Sequence, residues 1–273
     1  MRHSMMTRQR VLLASLALLL GLGACAEPQA DASPTAAVGH VHGLGVNPSD
    51  ERLYVATHFG LFVLDEDELQ RVGEAEHDLM GFAVAGPDSF WASGHPIGGE
   101  LPQPMGLVRS DDNGQTWDQV SLGGEADLHS LDVEGEAMAA YDSLEGRVLT
   151  SDDAGQTFRT ALRVPALDVV LDAEGDTIVA RSDGALLRVQ GSDTQILGDA
   201  PRLVMIDRSE EGLVGIGPDG GVWVSEDAGS WTSRGTLDGV PVALEVGGPR
   251  WYAATSTGLY VSDDEGSSWQ GIG

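Results

Sequence analysis

Six of the seven histidines fall at His40, His42, His58, His77, His95 and His129, and the 144 residues that follow contain none. Neutral imidazole is a transition-metal ligand, and residues two apart on an extended strand point the same way, so His40 and His42 make a chelating pair. With His129 they form a candidate site for copper or zinc, and Met80 and Met105, if they join, would favour the softer copper. The same region fits two other readings. One is an organic-ligand site built from His58, His77, His95, Met80 and Tyr141, and the other is a polar lining of a water-filled channel mouth. Carboxylates offer a further chemistry. The chain holds 43 Asp and Glu, and glycoside hydrolysis needs two carboxylates about 5–10 Å apart across a sugar. Asp127, Asp142 and Asp168 are the weak candidates for it, with Tyr141 beside Asp142 as a sugar-stacking partner.

These residues are positioned by an internal repeat. Four segments match: Ser110–Trp117, Ser151–Phe158, Ser225–Trp231 and Ser262–Trp269, with serines 41, 74 and 37 residues apart. The double interval leaves room for a degenerate unit around residues 181–188, and a further unit precedes the first copy around residues 53–62. Between the copies run short alternating strands broken by Gly, Pro, Asp and Asn, with no helical period after residue 38. Six repeats of four strands predict an all-β, six-bladed β-propeller of antiparallel blades spanning 39–273. The blades fall at about 39–75, 76–123, 124–164, 165–199, 200–238 and 239–273. In this phase no strand is exchanged between the ends, so ring closure rests on packing of the last blade against the first.

Stacking the first strands of the blades makes His42, Met80, His129 and Asp168 equivalent at the channel entrance, with His40, Asp78 and Asp127 equivalent two residues earlier. The turn after each second strand returns to the same rim and brings His58, His95 and Asp142. All six of these histidines therefore gather on one face of the first three blades. Metal there should be lost as the medium is acidified, because protons compete for imidazole. The acidic surroundings should raise the histidine pKa values.

The repeated S-x-D-x-G-x-[TS]-[WF] segment resembles the Asp box, or BNR repeat, of sialidase-like and sortilin-like propellers. That resemblance covers nearly all of residues 39–273 and implies turns on the outer rim, remote from any active centre. The His-x-His-Gly-Leu start is similar to that of small bacterial exported lipoproteins labelled as glycosyl hydrolases. Sialidases carry an Arg-Ile-Pro motif, which is absent here, and none of the tyrosines has a Glu partner by spacing. The third copy is one residue short before Trp231, so its turn should be distorted.

Residues 1–24 read as a secretory signal, with Arg2, Arg8 and Arg10 ahead of the apolar run Val11–Leu20. It ends in Leu22-Gly23-Ala24-Cys25, which resembles the bacterial lipobox, and Cys25 is the single cysteine of the chain. Cys25 is thus the expected site of lipidation, followed by a flexible tether over 25–38. The expected location is extracytoplasmic, anchored to the cell membrane. All 15 basic residues are Arg; beyond residue 24 there are 43 acids against 12 of them, a net charge of -31. That excludes a nucleic-acid partner, which requires a basic patch. The reading is a non-catalytic envelope propeller that binds a metal, an envelope protein or another ligand at its His-rich rim. The alternative is an exported glycoside hydrolase acting on a glycan.

Overall fold

The computed structural model describes residues 39–99 and 101–272; the signal, Cys25 and the tether lie outside the described residues. Within them, 24 strands and no helix form six four-stranded antiparallel sheets, each built from four consecutive strands paired in chain order. The innermost strands are Val41–Asn47, Asp78–Gly86, Leu128–Glu134, Ala166–Leu171, Met205–Ser209 and Pro241–Glu245. Each of these packs against the innermost strand of the next blade, and the sixth packs against the first. The second strands are apolar on both faces because neighbouring blades cover both; in Trp251–Thr255 all five residues are buried.

The core is therefore divided into six layers, one per junction. Leu61, Phe82 and Phe90 fill the first and Leu107, Leu128 and Leu149 the second. The next three layers are centred on Val148 and Val169, on Ile178 and Leu203, and on Val214 and Trp251. The ring closes through Val41, Leu44 and Val55 against Ala243, Tyr252 and Leu259. The last strand, Gln270–Ile272, pairs inside its own blade. Closure is by side-chain packing.

The repeated turns join the third and fourth strands at the outer edge. In the first, Ser110 Oγ accepts the Gly114 N–H at 2.8 Å and donates to Asp112 Oδ1 at 2.7 Å. Asp112 also accepts from the Thr116 N–H at 2.9 Å and the Thr116 hydroxyl at 2.7 Å. The same set recurs around Asp153 and Asp264. These bonds to the charged form hold the Asp153 and Asp264 carboxyls below their ordinary range, Thr157 and Ser268 contributing most. The short third copy departs: Asp227 Oδ1 takes both the Gly229 and Ser230 N–H groups at 2.8 Å, and Gly229 leaves the left-handed region that its counterparts occupy. Trp117, Phe158, Trp231 and Trp269 each pack into the layer shared with the preceding blade.

Candidate metal centre

Each innermost strand opens at the same end of the ring, and five of the six open on a β-bulge. The pairing shifts between Val41 and Gly43, Leu79 and Gly81, Leu128 and Ser130, Ala166 and Asp168, and Pro241 and Ala243. The residues left over are His42, Met80, His129, Leu167 and Val242. A bulge leaves one residue outside the ladder and re-aims its side chain, and His42, His129, Leu167 and Val242 line the channel. Asp168 is thus displaced from its expected place. In blade four Ala166 pairs as Val41 does in blade one, so Leu167, 40% exposed, takes the bulged place at the mouth and Asp168 lies one position deeper.

Asp78, first residue of its strand, faces the turn after the second strand of blade one, Arg52–Thr57, which carries His58. His58 Nδ1 lies 2.7 Å from Asp78 Oδ1 and 3.3 Å from His42 Nε2, and His42 Nε2 lies 3.8 Å from the same oxygen. Two imidazole nitrogens and a carboxylate oxygen thus converge, all within 4.8 Å of one another. Ligands on bonds of about 2.1 Å around a tetrahedral ion stand on the order of 3.4 Å apart, so this spacing suits zinc or copper with small side-chain adjustments. His42 is 17% exposed, and its pKa is lowered to about 4, by burial first and by His58 second, against the pull of Asp78. The acidity of the chain does not raise it, as its composition led one to expect, because burial removes His42 from the water that would stabilise its cation. His42 therefore presents the unprotonated, ligating form through the whole neutral range.

The structure distributes the other expected residues differently. His40 is exposed, its ring 5.4 Å from that of His58 and tilted 52° to it. His129 turns to Asp127, with Nε2 2.8 Å from Oδ2, and His95 Nε2 stands 3.5 Å from the same oxygen. His77 accepts the Ile97 N–H on Nδ1. Met80 is half-buried on its bulge, whereas Met105 is fully buried in the first interblade layer and does not reach the rim. Asp142 is buried, bound to Arg147 Nε at 2.8 Å and to the Asp127 N–H at 3.3 Å, so it braces the blade and meets no solvent. Tyr141 packs into the layer between blades three and four. Asp78, which completes the triad, stands in register with His40 but is not among the ligands that histidine spacing singles out.

Below the mouth, acidic side chains tie the blades together. Asp132 Oδ2 accepts the Leu171 N–H at 2.6 Å, Asp168 Oδ2 the Ile206 N–H at 2.9 Å, and Asp207 Oδ2 the Val246 N–H at 2.7 Å. Glu245 lines the channel beside them and accepts the Gly247 N–H at 3.3 Å. Burial pushes the Asp168 carboxyl up to about 6 and that of Glu245 up to about 7, and raises Asp132 and Asp207 as well. A sign of this ladder lies in the sequence, though strand stacking does not pick it out. It is an acid flanked by apolar residues inside a core strand, as in Leu131-Asp132-Val133, Ile206-Asp207 and Leu244-Glu245-Val246. The channel is narrow, with a cavity of about 140 Å³, against the roughly 300–1,000 Å³ of small-molecule sites.

No protein-family model matches the sequence, and no curated protein does. Solved structures match the fold. A gluconolactonase from Xanthomonas campestris aligns with a TM-score of 0.66 at 13% identity, covering 82% of this chain and 86% of its own. A putative gluconolactonase aligns at 0.64 with 16% identity, covering 81% and 87%. Virginiamycin B lyase from Staphylococcus aureus aligns at 0.58 with 12% identity, covering 84% and 83%. At such identities the likeness is one of architecture, a six-bladed propeller.

Proposed function

We propose that this protein is an exported, lipid-anchored propeller that binds a transition metal, copper or zinc, through His42, His58 and Asp78. The observation that carries the reading is the convergence of those three donors, from two blades, at the mouth of the channel. The short apolar run ending in Leu22-Gly23-Ala24-Cys25 and the Ala/Pro-rich segment after it support an anchor at Cys25 outside the cytoplasmic membrane. The regular Ser-x-Asp turns support a place among Asp-box propellers. A hydrolase acting on a glycan has less behind it, since Asp142 is sealed by Arg147 and Asp168 serves the backbone of the next blade.

Thermal melting with zinc(II) or copper(II) tests the metal reading. A ligand at 100 times its Kd adds about 2.7 kcal/mol to the folded state, or roughly 5–11 °C at about 2–4 °C per kcal/mol for a domain of this size. The wild type should show that rise at pH 7.5, and His58→Ala/Asp78→Asn should show a distinctly smaller one. A wild-type melt unmoved by both metals overturns the reading. The anchor is tested separately: Cys25→Ser should release the protein from the membrane fraction, and full retention refutes lipidation.

A further inference from the structure

We infer that His95, His129 and Asp127 form a second cation site, one blade around the ring from the first. Asp127 holds the place of Asp78, each two residues ahead of the bulged residue of its strand, and His95 holds the place of His58 at the end of a second strand. The imidazole–carboxylate pair across a blade junction is thus built twice. It departs from the first in the third member, since His129 stands on the strand that directly follows its carboxylate.

Asp127 is 6% exposed, and its two oxygens are unequally served. Oδ2 faces His129 Nε2 at 2.8 Å, Ser143 Oγ at 3.2 Å and His95 Nε2 at 3.5 Å. Oδ1 is buried with no hydrogen-bond partner. Native interiors rarely leave a carboxylate oxygen without a donor, and a cation supplies what the protein does not. Two imidazole nitrogens and a carboxylate suit zinc or copper(II), but here the donors stand more widely spread than the 4.8 Å of the first site, so the rings must close on the ion. Both imidazoles are just over one-third exposed, 37% and 36%, so each can swing from the shared oxygen onto an ion beside it. Gln103 Nε2 lies 2.8 Å from His95 Nδ1 and holds the ring from behind. With an ion on Nε2 the proton moves to Nδ1, and the Gln103 amide turns to offer its oxygen, the outer support that metal-bound histidines commonly have.

The site goes beyond the proposed function and is separable from it. Zinc(II) is titrated calorimetrically into the purified full chain at pH 7.5, and bound zinc is counted after dialysis. Two zinc ions per chain are expected for the wild type, one for His95→Ala, one for His58→Ala, and none for the double variant. His95 is exposed enough that its replacement spares the fold; Asp127→Asn, checked by its circular dichroism, should also bind one. A wild type that binds one zinc, unaffected by His95→Ala and abolished by His58→Ala, overturns the second site and leaves the first standing. A single zinc lost in both variants overturns it too, as one shared centre. No zinc, and in a parallel titration no copper(II), in any form overturns both.

Discussion

The outer turns press glycine against the neighbouring blade, which makes a sharp test of how the blades hold together. Gly155 adopts φ +72°, and a Cβ there would stand 2.2 Å from Leu107 Cδ2 and 2.8 Å from Met138 Sδ. Leu107 is fully buried and Met138 nearly so, so neither can withdraw into solvent. Alanine in the left-handed region costs about 1–2 kcal/mol, offset by about 0.4–1 kcal/mol for the stiffer unfolded chain. Forcing a methyl into the packed layer adds about 1–3 kcal/mol. Gly155→Ala should therefore lose about 2–4 kcal/mol in urea unfolding, or roughly 4–16 °C in melting at about 2–4 °C per kcal/mol. Gly146, at φ +62° with nothing within 4 Å of its added Cβ, carries the backbone penalty alone. Gly146→Ala should lose only about 1 kcal/mol. The difference between the two variants isolates the contact across the junction. Equal losses would refute the argument, because the turn would then not be wedged against Leu107.

Three further outcomes follow from the geometry. Asp168, with a folded pKa of about 6 against an ordinary 3.8, keeps a proton that the unfolded chain releases, so its contribution fades as pH rises from about 4 to 6. Asp168→Asn should make the slope of stability against pH more positive there, by up to about 1.4 kcal/mol per pH unit, and parallel curves would contradict this. His42 runs the opposite way: the unfolded chain takes up its proton below the ordinary 6.5, the folded one only near 4, so stability is lost as pH falls through that window. His42→Ala should flatten that decline in urea titrations without metal. Trp117→Ala should lose about 3 kcal/mol by emptying part of the first layer, while leaving zinc stoichiometry in the calorimeter unchanged.

Much of the ring is legible in the amino-acid sequence. The serine spacing reveals the blade period, the Gly and Asp of each copy demand a tight turn, and aromatics recurring at that period must face between sheets. All of these follow from local chemistry repeated at a fixed interval. The bulges are not legible, because an extra residue changes which side chain faces the channel without altering composition or alternation. Leu167, not Asp168, reaches the mouth because Ala166 takes the place of Val41 rather than of His40, a one-residue shift that strand stacking alone does not show. The gathering of histidines on one rim is readable from blade order, but the partition into His42 with His58 and His129 with His95 is not. It depends on Asp78 at the head, and Asp127 just ahead, of an innermost strand at a junction. Met105 escapes correct placement because a methionine between two loops carries no sign of whether it packs inward.

The way the ring shuts has a consequence for its topology as a chain. Because each sheet is a contiguous stretch and the closing layer is made of the same apolar contacts as the other five, the junction between the last and first blades holds no privileged position. The first strand begins, and the last one finishes, on the histidine-bearing rim, in adjacent blades. A short peptide joining them, with new ends opened between Val164 and Ala166, should yield a circularly permuted molecule with the same six sheets. A propeller sewn shut by a borrowed strand could not be recut so freely, since that cut would sever the stitch.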